Sequence, residues 1–146
     1  MDKYEEIKKI IANAGDVVQF SDYGNGVSVA WIQKAEERLG FELPPTYKWW
    51  LVNYDGGEVY GDEIFSIYEQ DFDLVCGGDL VYMHELNQKN KMYTDFQLVI
   101  SQTDFDIYYF DLRKRKKDGE IPIFSWSTQK EYAEDFIDFL KRIIKA

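Results

Sequence analysis

The stretch Ile32–Leu51 reads IQKAEERLGFELPPTYKWWL, with one glycine and two prolines near its centre. Apolar residues at helical spacing precede Gly40, and glycine suits the left-handed backbone conformation that ends many helices. Leu43 and Pro44 follow in an extended conformation, because a proline restricts the backbone of the residue before it. Pro45 suits the first turn of a new helix. The stretch therefore predicts a helix, a short extended loop and a second helix.

Apolar spacing outside this stretch predicts the remaining helices and strands. The order is helices first, then several strands, then a closing helix, which indicates the α+β class rather than alternating β–α–β units. The predicted helices are Asp2–Asn13, a helix capped by Ser28, Pro45–Tyr54, Leu80 to about Met92, and a closing helix whose apolar residues run from Tyr132 to Ile144. The predicted strands are Glu58–Tyr60, Ile64–Ile67, Gln97–Ser101, Ile107–Phe110 and Ile121–Phe124.

The composition restricts the class of protein. The chain has 146 residues, of which 45% are apolar and 17% aromatic, and this suits a single domain over residues 1–146 with a substantial core. A formal net charge of −10 argues against a general nucleic-acid binder, because that affinity comes from Lys and Arg. No apolar run is long enough to cross a membrane, and the charged first residues do not resemble a signal peptide. We therefore expect a cytoplasmic protein.

The negative charge is concentrated in one segment, the acidic window Trp49–Gln88. It contains nine acidic residues and no Lys or Arg, so it carries −9 of the formal net charge. One interpretation is a solvated face that keeps the protein soluble. The other is a docking surface for a basic partner, since clustered charge of one sign raises association rates by about 10–10³ at low salt. The sequence alone leaves both interpretations open.

The basic segment Arg113–Lys117 is the opposite feature, with five consecutive basic residues. It lies between two predicted strands and is followed by Asp118 and Gly119, so it is predicted to form the tip of a hairpin. Five bases can contact a few phosphates, but no aromatic residue alternates with them as in a single-strand binder. A solvated loop that prevents edge-to-edge pairing of the hairpin is the favoured interpretation.

No residue pattern indicates a catalytic, metal or cofactor site. Cys76 and His84 are the only Cys and His, and their sequence contexts favour structural roles over a nucleophile with its base. The triplets Asp71–Asp73 and Asp104–Asp106 offer carboxylates, yet the first fails the calcium-loop pattern. The segment Gly24–Val29 begins like a dinucleotide loop but ends in Val. We expect no enzymatic activity, although the sequence cannot place two carboxylates at the separation that glycosidic chemistry requires.

Trp49 and Trp50 are adjacent, so on a helix their side chains point about 100° apart. One interpretation is that the two rings form two flanks of one core. The other is that one ring anchors a partner protein, since Trp and Tyr are enriched at interfaces.

These segments resemble the signature of the SUKH superfamily. Ile32–Leu51 contains a helix that ends in Glu-x-x-Leu-Gly, then Leu-Pro, a Tyr and an aromatic-Leu pair, and Asn53–Gly57 supplies the glycine turn. Later parts of the signature occur in the same order across most of the chain: Asp106–Asp111, Asp118–Pro122, Ser125 with Trp126, and Asp135–Leu140. The resemblance is strongest to the Smi/Knr-like branch, near its YobK type.

The resemblance implies an α+β fold with a mixed, largely antiparallel sheet of about five or six strands flanked by helices. It also implies a non-enzymatic immunity protein that binds and neutralises a cognate toxin, often a nuclease, with no direct contact to nucleic acid or membrane. Motif residues of the family, such as Leu39, Gly40 and Tyr47, hold the helix–loop–helix stretch together. Toxin-facing residues vary within such families, so the resemblance assigns none of them.

The acidic window and this resemblance together predict a contact face. A nuclease binds a polyanion, so its active surface tends to be basic, and an acidic inhibitor would mimic the polyanion. We expect the contact face to comprise acids and tyrosines of the window: Glu58, Tyr60, Asp62, Glu63, Tyr68, Glu69, Asp71 and Asp73. The alternative functions are a scaffold or regulatory module without a toxin partner and a small hydrolase that uses carboxylates.

Overall fold

The computed structural model describes residues 2–146, which form five α-helices, seven β-strands and two short 3-10 segments. The helices are α1 (Lys3–Ala12), α2 (Val29–Leu39), α3 (Pro45–Tyr54), α4 (Leu80–Lys89) and α5 (Phe136–Ile144). The strands are β1 (Val18–Phe20), β2 (Gly57–Val59), β3 (Asp62–Ile64), β4 (Gln97–Gln102), β5 (Ile107–Asp111), β6 (Ile123–Ser125) and β7 (Lys130–Ala133). This order confirms the predicted α+β class.

The strands form two antiparallel sheets. The first has the order β1-β2-β3 and the second the order β4-β5-β6-β7. The sheets adjoin just after β3, where the amide of Phe65 donates a hydrogen bond of 2.7 Å to the carbonyl of Ile100 in β4. Ser66 and Asp79 then form an isolated parallel bridge. Within residues 2–146 the structure thus has seven strands in two sheets, where the sequence predicted five or six in one, and their antiparallel pairing agrees with the prediction.

The structure confirms the predicted helix ends around the loop between α2 and α3. The Ser28 hydroxyl caps α2 by accepting a hydrogen bond of 3.3 Å from an amide of its first turn, and Gly40 ends α2 with a φ of 88°. The loop is held by Glu36, whose carboxylate accepts a hydrogen bond of 2.7 Å from the amide of Leu43. The left-handed residue that ends α3 is Asp55 rather than the glycine that follows it.

The closing helix begins later than its apolar pattern predicts. Tyr132, the first apolar residue of that pattern, lies in strand β7, which the sequence analysis did not predict. Asp135 then caps α5 by accepting a hydrogen bond of 2.8 Å from the amide of Asp138. The pattern was misleading because the Tyr132 ring packs beside the helix, with its centroid 6.0 Å from that of Phe139. A side chain of the preceding strand therefore continued the helical spacing.

The core contains side chains of the helices and of both sheets. Tyr47 and Trp50 of α3 and Phe136 of α5 are fully buried, and the Tyr47 centroid is 4.9 Å from that of Phe136. Trp49 is half-buried on another side of α3, 5.0 Å from the ring of Tyr4 in α1. Both tryptophans therefore pack within the fold, as the first of the two interpretations predicts.

The basic segment Arg113–Lys117 is exposed but held against the rest of the fold. The Arg113 guanidinium lies 3.6 Å from the centroid of the Phe96 ring and forms a salt bridge of 3.0 Å with Asp111. Arg115 donates a hydrogen bond to a backbone carbonyl in the loop between α2 and α3. The prediction that this basic segment is an exposed loop is confirmed. The guanidinium groups of Arg113 and Arg115 also hold the segment against the fold.

Candidate partner-binding site

The hairpin formed by β2 and β3 carries three exposed acids of the acidic window. Glu58 faces Glu63 across the two strands, and Val59 faces Asp62. Directly opposed residues lie on the same side of a sheet, so the two glutamates project to one side and Asp62 to the other. Like charges directly opposite each other destabilise strand pairing. The hairpin therefore keeps an acidic pair that its own pairing does not favour.

Glu63 is oriented by hydrogen bonds from the loop that follows the hairpin. The amide of Gly78 donates to the Tyr68 hydroxyl at 2.8 Å, and that hydroxyl donates to the Glu63 carboxylate at 3.0 Å. Burial and the neighbouring Glu63 carboxylate raise the pKa of Tyr68 to about 12, so the hydroxyl stays protonated at neutral pH. A Cβ at position 78 would meet the Glu63 carboxylate, so any other residue there would displace this carboxylate from its present position.

Other acids of the window form contacts within the fold near α2. Arg38 forms salt bridges with Glu85 at 2.7 Å and with Asp73 at 2.8 Å. Its hydrogen bonds with Glu85 and Asp73 raise the pKa of Arg38 above its already high value. Glu69 accepts a hydrogen bond of 2.7 Å from the amide of Ser28. Internal pairing thus neutralises part of the charge at this end of the window.

Asp79 belongs to the fold and Asp71 to an exposed loop. Asp79 is buried and caps α4, accepting hydrogen bonds of 3.0 and 3.1 Å from the amides of Tyr82 and Tyr68. Burial raises the pKa of Asp79 despite these hydrogen bonds. The eight predicted contact residues therefore divide into a hairpin group (Glu58, Tyr60, Asp62, Glu63 and Tyr68) and a loop group (Glu69, Asp71 and Asp73).

A cleft of about 180 Å³ opens beside the hairpin, between the two sheets and the end of α5. Two residues of the hairpin group, Tyr60 and Asp62, line this cleft, which we name the Asp62 cleft. No Lys, Arg or His occurs among its lining residues in the described part of the chain, so Asp62 and Asp106 give it a negative charge. The remaining lining residues are Val59, Ile64, Ser101, Thr103, Phe105, Tyr108, Tyr132, Phe139, Ile143 and Ala146.

Asp106 is fixed in the wall of the cleft by four hydrogen bonds. Its carboxylate accepts from the hydroxyls of Ser125 and Ser127 at 2.6 and 3.0 Å, and from the amides of Ile107 and Ser127 at 2.8 and 3.0 Å. Burial opposes ionisation of this carboxyl, but the hydrogen bonds outweigh burial and lower the pKa of Asp106. The carboxylate is therefore charged at neutral pH, and its acceptor positions are occupied.

Asp62 differs from Asp106 because its carboxylate remains available. It is exposed, and no hydrogen bond or salt bridge among residues 2–146 uses this carboxylate. The rings of Tyr108 and Tyr132 lie deeper, with centroids 4.8 Å apart. Burial first, then the neighbouring Tyr132 and the two aspartates, raise the pKa of Tyr108 well above its ordinary value. The floor of the cleft is therefore aromatic and uncharged, and one side of it offers an unused acceptor.

Two exposed aromatic rings stand at the mouth of the cleft. Tyr60 is 56% exposed and Phe105 is 89% exposed. Tyr60 has a φ of 51°, which is rare for a residue with a side chain, and its hydroxyl donates to the carbonyl of Ile144 at 3.3 Å. Aromatic residues are enriched where proteins contact one another. The mouth of the cleft thus has the composition of a contact surface.

Only part of this cleft was predicted from the sequence. Tyr60 and Asp62 were assigned to the contact face, whereas Asp106 was considered as a carboxylate of a triplet and as part of the family signature, and Tyr132 as a helix residue. The available signal was Phe105, an aromatic residue between two acids in the short segment that joins the predicted strands Gln97–Ser101 and Ile107–Phe110. No spacing rule connects the hairpin with β5 and β7, since the sheets meet only in the folded chain.

The residues that were considered for catalysis do not form a reactive pair. Cys76 is exposed in the loop before α4, whereas His84 is buried within α4 and its ring lies 6.0 Å from that of Phe41. Burial lowers the pKa of His84. Among residues 2–146, no group of three or more His, Cys, Asp or Glu is arranged to hold a metal ion. No helix in the same part of the chain is long and apolar enough to cross a membrane.

The fold and its helix–loop–helix stretch define an α+β domain of the SUKH type. A sequence model of the SUKH_6 family, described as SMI1-KNR4 cell-wall, matches residues 30–140, and the chain belongs to this family. This finding confirms the resemblance to the SUKH superfamily, while the nearness to the YobK type stays a prediction.

A solved structure has a similar fold. It is the crystal structure of a protein from Pseudomonas syringae pv. tomato, which this chain matches with a TM-score of 0.65 and 17% sequence identity. The match covers 97% of this chain and 99% of that chain. At this identity the likeness concerns the fold alone.

Proposed function

We propose that this protein is a cytoplasmic immunity protein, which binds a cognate toxin domain and blocks it without catalysing a reaction. The observation that carries the proposal is the acidic hairpin, where Glu58, Asp62 and Glu63 are exposed and form no salt bridge with a base of residues 2–146. The opposed glutamates destabilise strand pairing, and such a cost is expected where the charge serves a partner. Membership of the SUKH superfamily supports the same function.

The chemistry of the surface favours a basic partner, and a nuclease domain meets this requirement. A nuclease needs a positively charged cleft because it binds the phosphate backbone. A rigid acidic surface that enters this cleft excludes the substrate. The Tyr68 hydroxyl holds Glu63 in place at 3.0 Å, so part of the acidic surface is ordered before binding. Preorganisation of this kind reduces the entropy cost of association.

Co-expression with the toxin domain tests the proposal. The candidate is the C-terminal domain of a large protein encoded by the neighbouring reading frame. We expect cells that produce this domain to survive only when the present protein is also produced, and the two proteins to purify as a complex without nuclease activity. Cell death despite co-expression, together with the absence of a complex, would contradict the proposal.

Charge reversal locates the contact face. The Glu58→Lys/Asp62→Lys double variant changes the hairpin group, and Glu37→Lys/Asp95→Lys changes the net charge equally at two exposed acids outside the eight predicted contact residues. We expect the first variant to slow association with the toxin domain by about 10–100-fold at low salt and to flatten its salt dependence, while the second has little effect. Stopped-flow or surface-plasmon measurements give both rates. Equal effects of the two variants would exclude the hairpin as the contact face.

The second candidate function is a scaffold or regulatory module that binds a host protein. The description of the matching family, SMI1-KNR4 cell-wall, supports this candidate because it refers to the cell wall. In this case the neighbouring toxin domain is neither bound nor neutralised. Affinity purification from the native host then recovers a partner that is not a toxin, and this result separates the two candidates.

A further inference from the structure

The size, charge and lining of the Asp62 cleft indicate which kind of group it binds. We propose that the cleft receives a single arginine side chain of the partner protein. The inference rests on the proposed function in so far as the partner is a protein with a basic surface.

The size of the cleft favours one side chain over a larger ligand. Its volume is about 180 Å³, whereas sites for cofactors and other small molecules usually enclose about 300–1,000 Å³. The cleft also opens beside the acidic hairpin, and Tyr60 and Asp62 of the hairpin group line it, so a residue that enters the cleft contacts part of the predicted contact face. A protruding side chain of the partner meets both conditions.

The lining of the cleft favours a planar cation. Four aromatic residues line the cleft, and aromatic rings attract a guanidinium group through cation–π and stacking interactions. They are Tyr60, Phe105, Tyr108 and Tyr132. The four hydrogen bonds to Asp106 leave its carboxylate as a fixed charge. Asp62 supplies the unused carboxylate that can accept two parallel hydrogen bonds from a guanidinium.

The protein already binds its own arginine in this manner elsewhere. The Arg113 guanidinium lies 3.6 Å from the centroid of the Phe96 ring and donates two hydrogen bonds, of 3.1 and 3.0 Å, to the two oxygens of Asp111. The Asp62 cleft presents the same two elements, an aromatic face and a carboxylate, without the cation. The charge and shape of a guanidinium therefore complement the cleft.

Lysine and a metal ion match the cleft less well. An ammonium group is compact and strongly hydrated, so it gains less than a guanidinium from aromatic faces and cannot form a bidentate contact. A hard metal ion needs about six oxygen ligands, but the acceptor positions of Asp106 are already occupied. These considerations leave arginine as the cation that uses every feature of the cleft.

NMR titration of the full-length protein with blocked single amino acids tests the inference. The probes are N-acetyl-arginine amide, N-acetyl-lysine amide and N-acetyl-citrulline amide, of which citrulline has nearly the shape of arginine but no charge. We expect arginine to cause saturable shifts of the amide signals of Tyr60, Asp62 and Phe105. Lysine should bind several-fold more weakly, and citrulline should cause no saturable shift.

Two matched variants determine whether Asp62 is the acceptor. Asp62→Asn keeps the shape and removes the charge, and we expect it to weaken arginine binding about tenfold. Asp71→Asn removes a charge from the same acidic window outside the cleft and should leave binding unchanged. Equal weakening in both variants, or equal binding of arginine and citrulline, would overturn the inference.

The outcome is independent of the toxin experiment. If the arginine probe fails to bind but the protein still neutralises a toxin, the inference is wrong and the immunity function stands. If the probe binds as expected but no toxin is neutralised, the cleft is an arginine site of a protein with another partner. A crosslink from a photoreactive group near Asp62 to an arginine-containing segment of the purified partner would identify the contact directly.

Discussion

The Tyr47 hydroxyl attaches the acidic hairpin to the core, and its removal tests how the hairpin is held. Tyr47 is fully buried in α3 and donates a hydrogen bond of 2.5 Å to the carbonyl of Phe65. Phe65 follows directly after β3, so this bond connects a core helix with the hairpin. Burial raises the pKa of Tyr47 well above its ordinary value, so the hydroxyl keeps its proton at physiological pH.

The expected magnitude follows from the burial of both groups. Tyr47→Phe removes one oxygen and retains the ring, so the contact with Phe136 is preserved. Phe65 is only 6% exposed, and its carbonyl loses the hydroxyl donor in a place that water does not readily reach. An unsatisfied buried acceptor costs about 1–3 kcal/mol. We therefore expect the free energy of unfolding to fall by this amount, with a decrease in Tm of about 2–4 °C for each kcal/mol.

Urea denaturation followed by tryptophan fluorescence measures this loss. The midpoint should decrease and the m-value should stay constant, because the surface exposed on unfolding does not change. Tyr23→Phe is the control, since Tyr23 is 50% exposed and its substitution should stay within about 0.5 kcal/mol. The reasoning is refuted if Tyr47→Phe destabilises the protein no more than this control.

Two further predictions concern His84 and Gly26. Burial lowers the pKa of His84 from 6.5, so the unfolded chain binds the proton more readily than the folded protein. The contribution of the neutral His84 to the free energy of unfolding is therefore fully present above about pH 6.5. It decreases as the pH falls toward the pKa of the folded state. Urea denaturation at about pH 7.5 and 5.5 should show that the free energy of unfolding decreases less between these two pH values in His84→Gln than in the wild type. An identical decrease in the variant would contradict His84 as its origin. In Gly26→Ala the new methyl group would collide with the carbonyls of Leu51 and Val52. We therefore expect the free energy of unfolding to decrease by about 1–3 kcal/mol. An unchanged Tm in calorimetry would argue against this close packing.

The acidic window serves two purposes that its composition does not separate. Asp73 and Asp79 have partners within the fold, the first in Arg38 and the second as the cap of α4. Glu58 and Asp62 have no such internal role and face solvent on the hairpin. In the sequence all nine acids of the window carry the same charge. The structure distinguishes acids that have partners within the fold from acids that are available to another protein.

Local interactions explain why the helix ends were predictable. Ser28 and Gly40 act on the backbone of their nearest neighbours, and Pro45 restricts its own φ angle, so their effects depend on few other residues. The α+β order, the position of the acidic window and the family signature are likewise properties of contiguous sequence. These features were therefore available before any packing was known.

The sequence by itself determined the class of fold, most helix boundaries and the segment that carries the negative charge. Only the tertiary structure decided that Tyr132 belongs to a strand, that Arg38 pairs with two acids of the window, and that Asp62 shares a cleft with Asp106. The physical reason is that capping and turn formation act over a few neighbouring residues. The cleft instead requires two sheets and a helix to meet, and side-chain contacts between distant segments form only when the whole core packs.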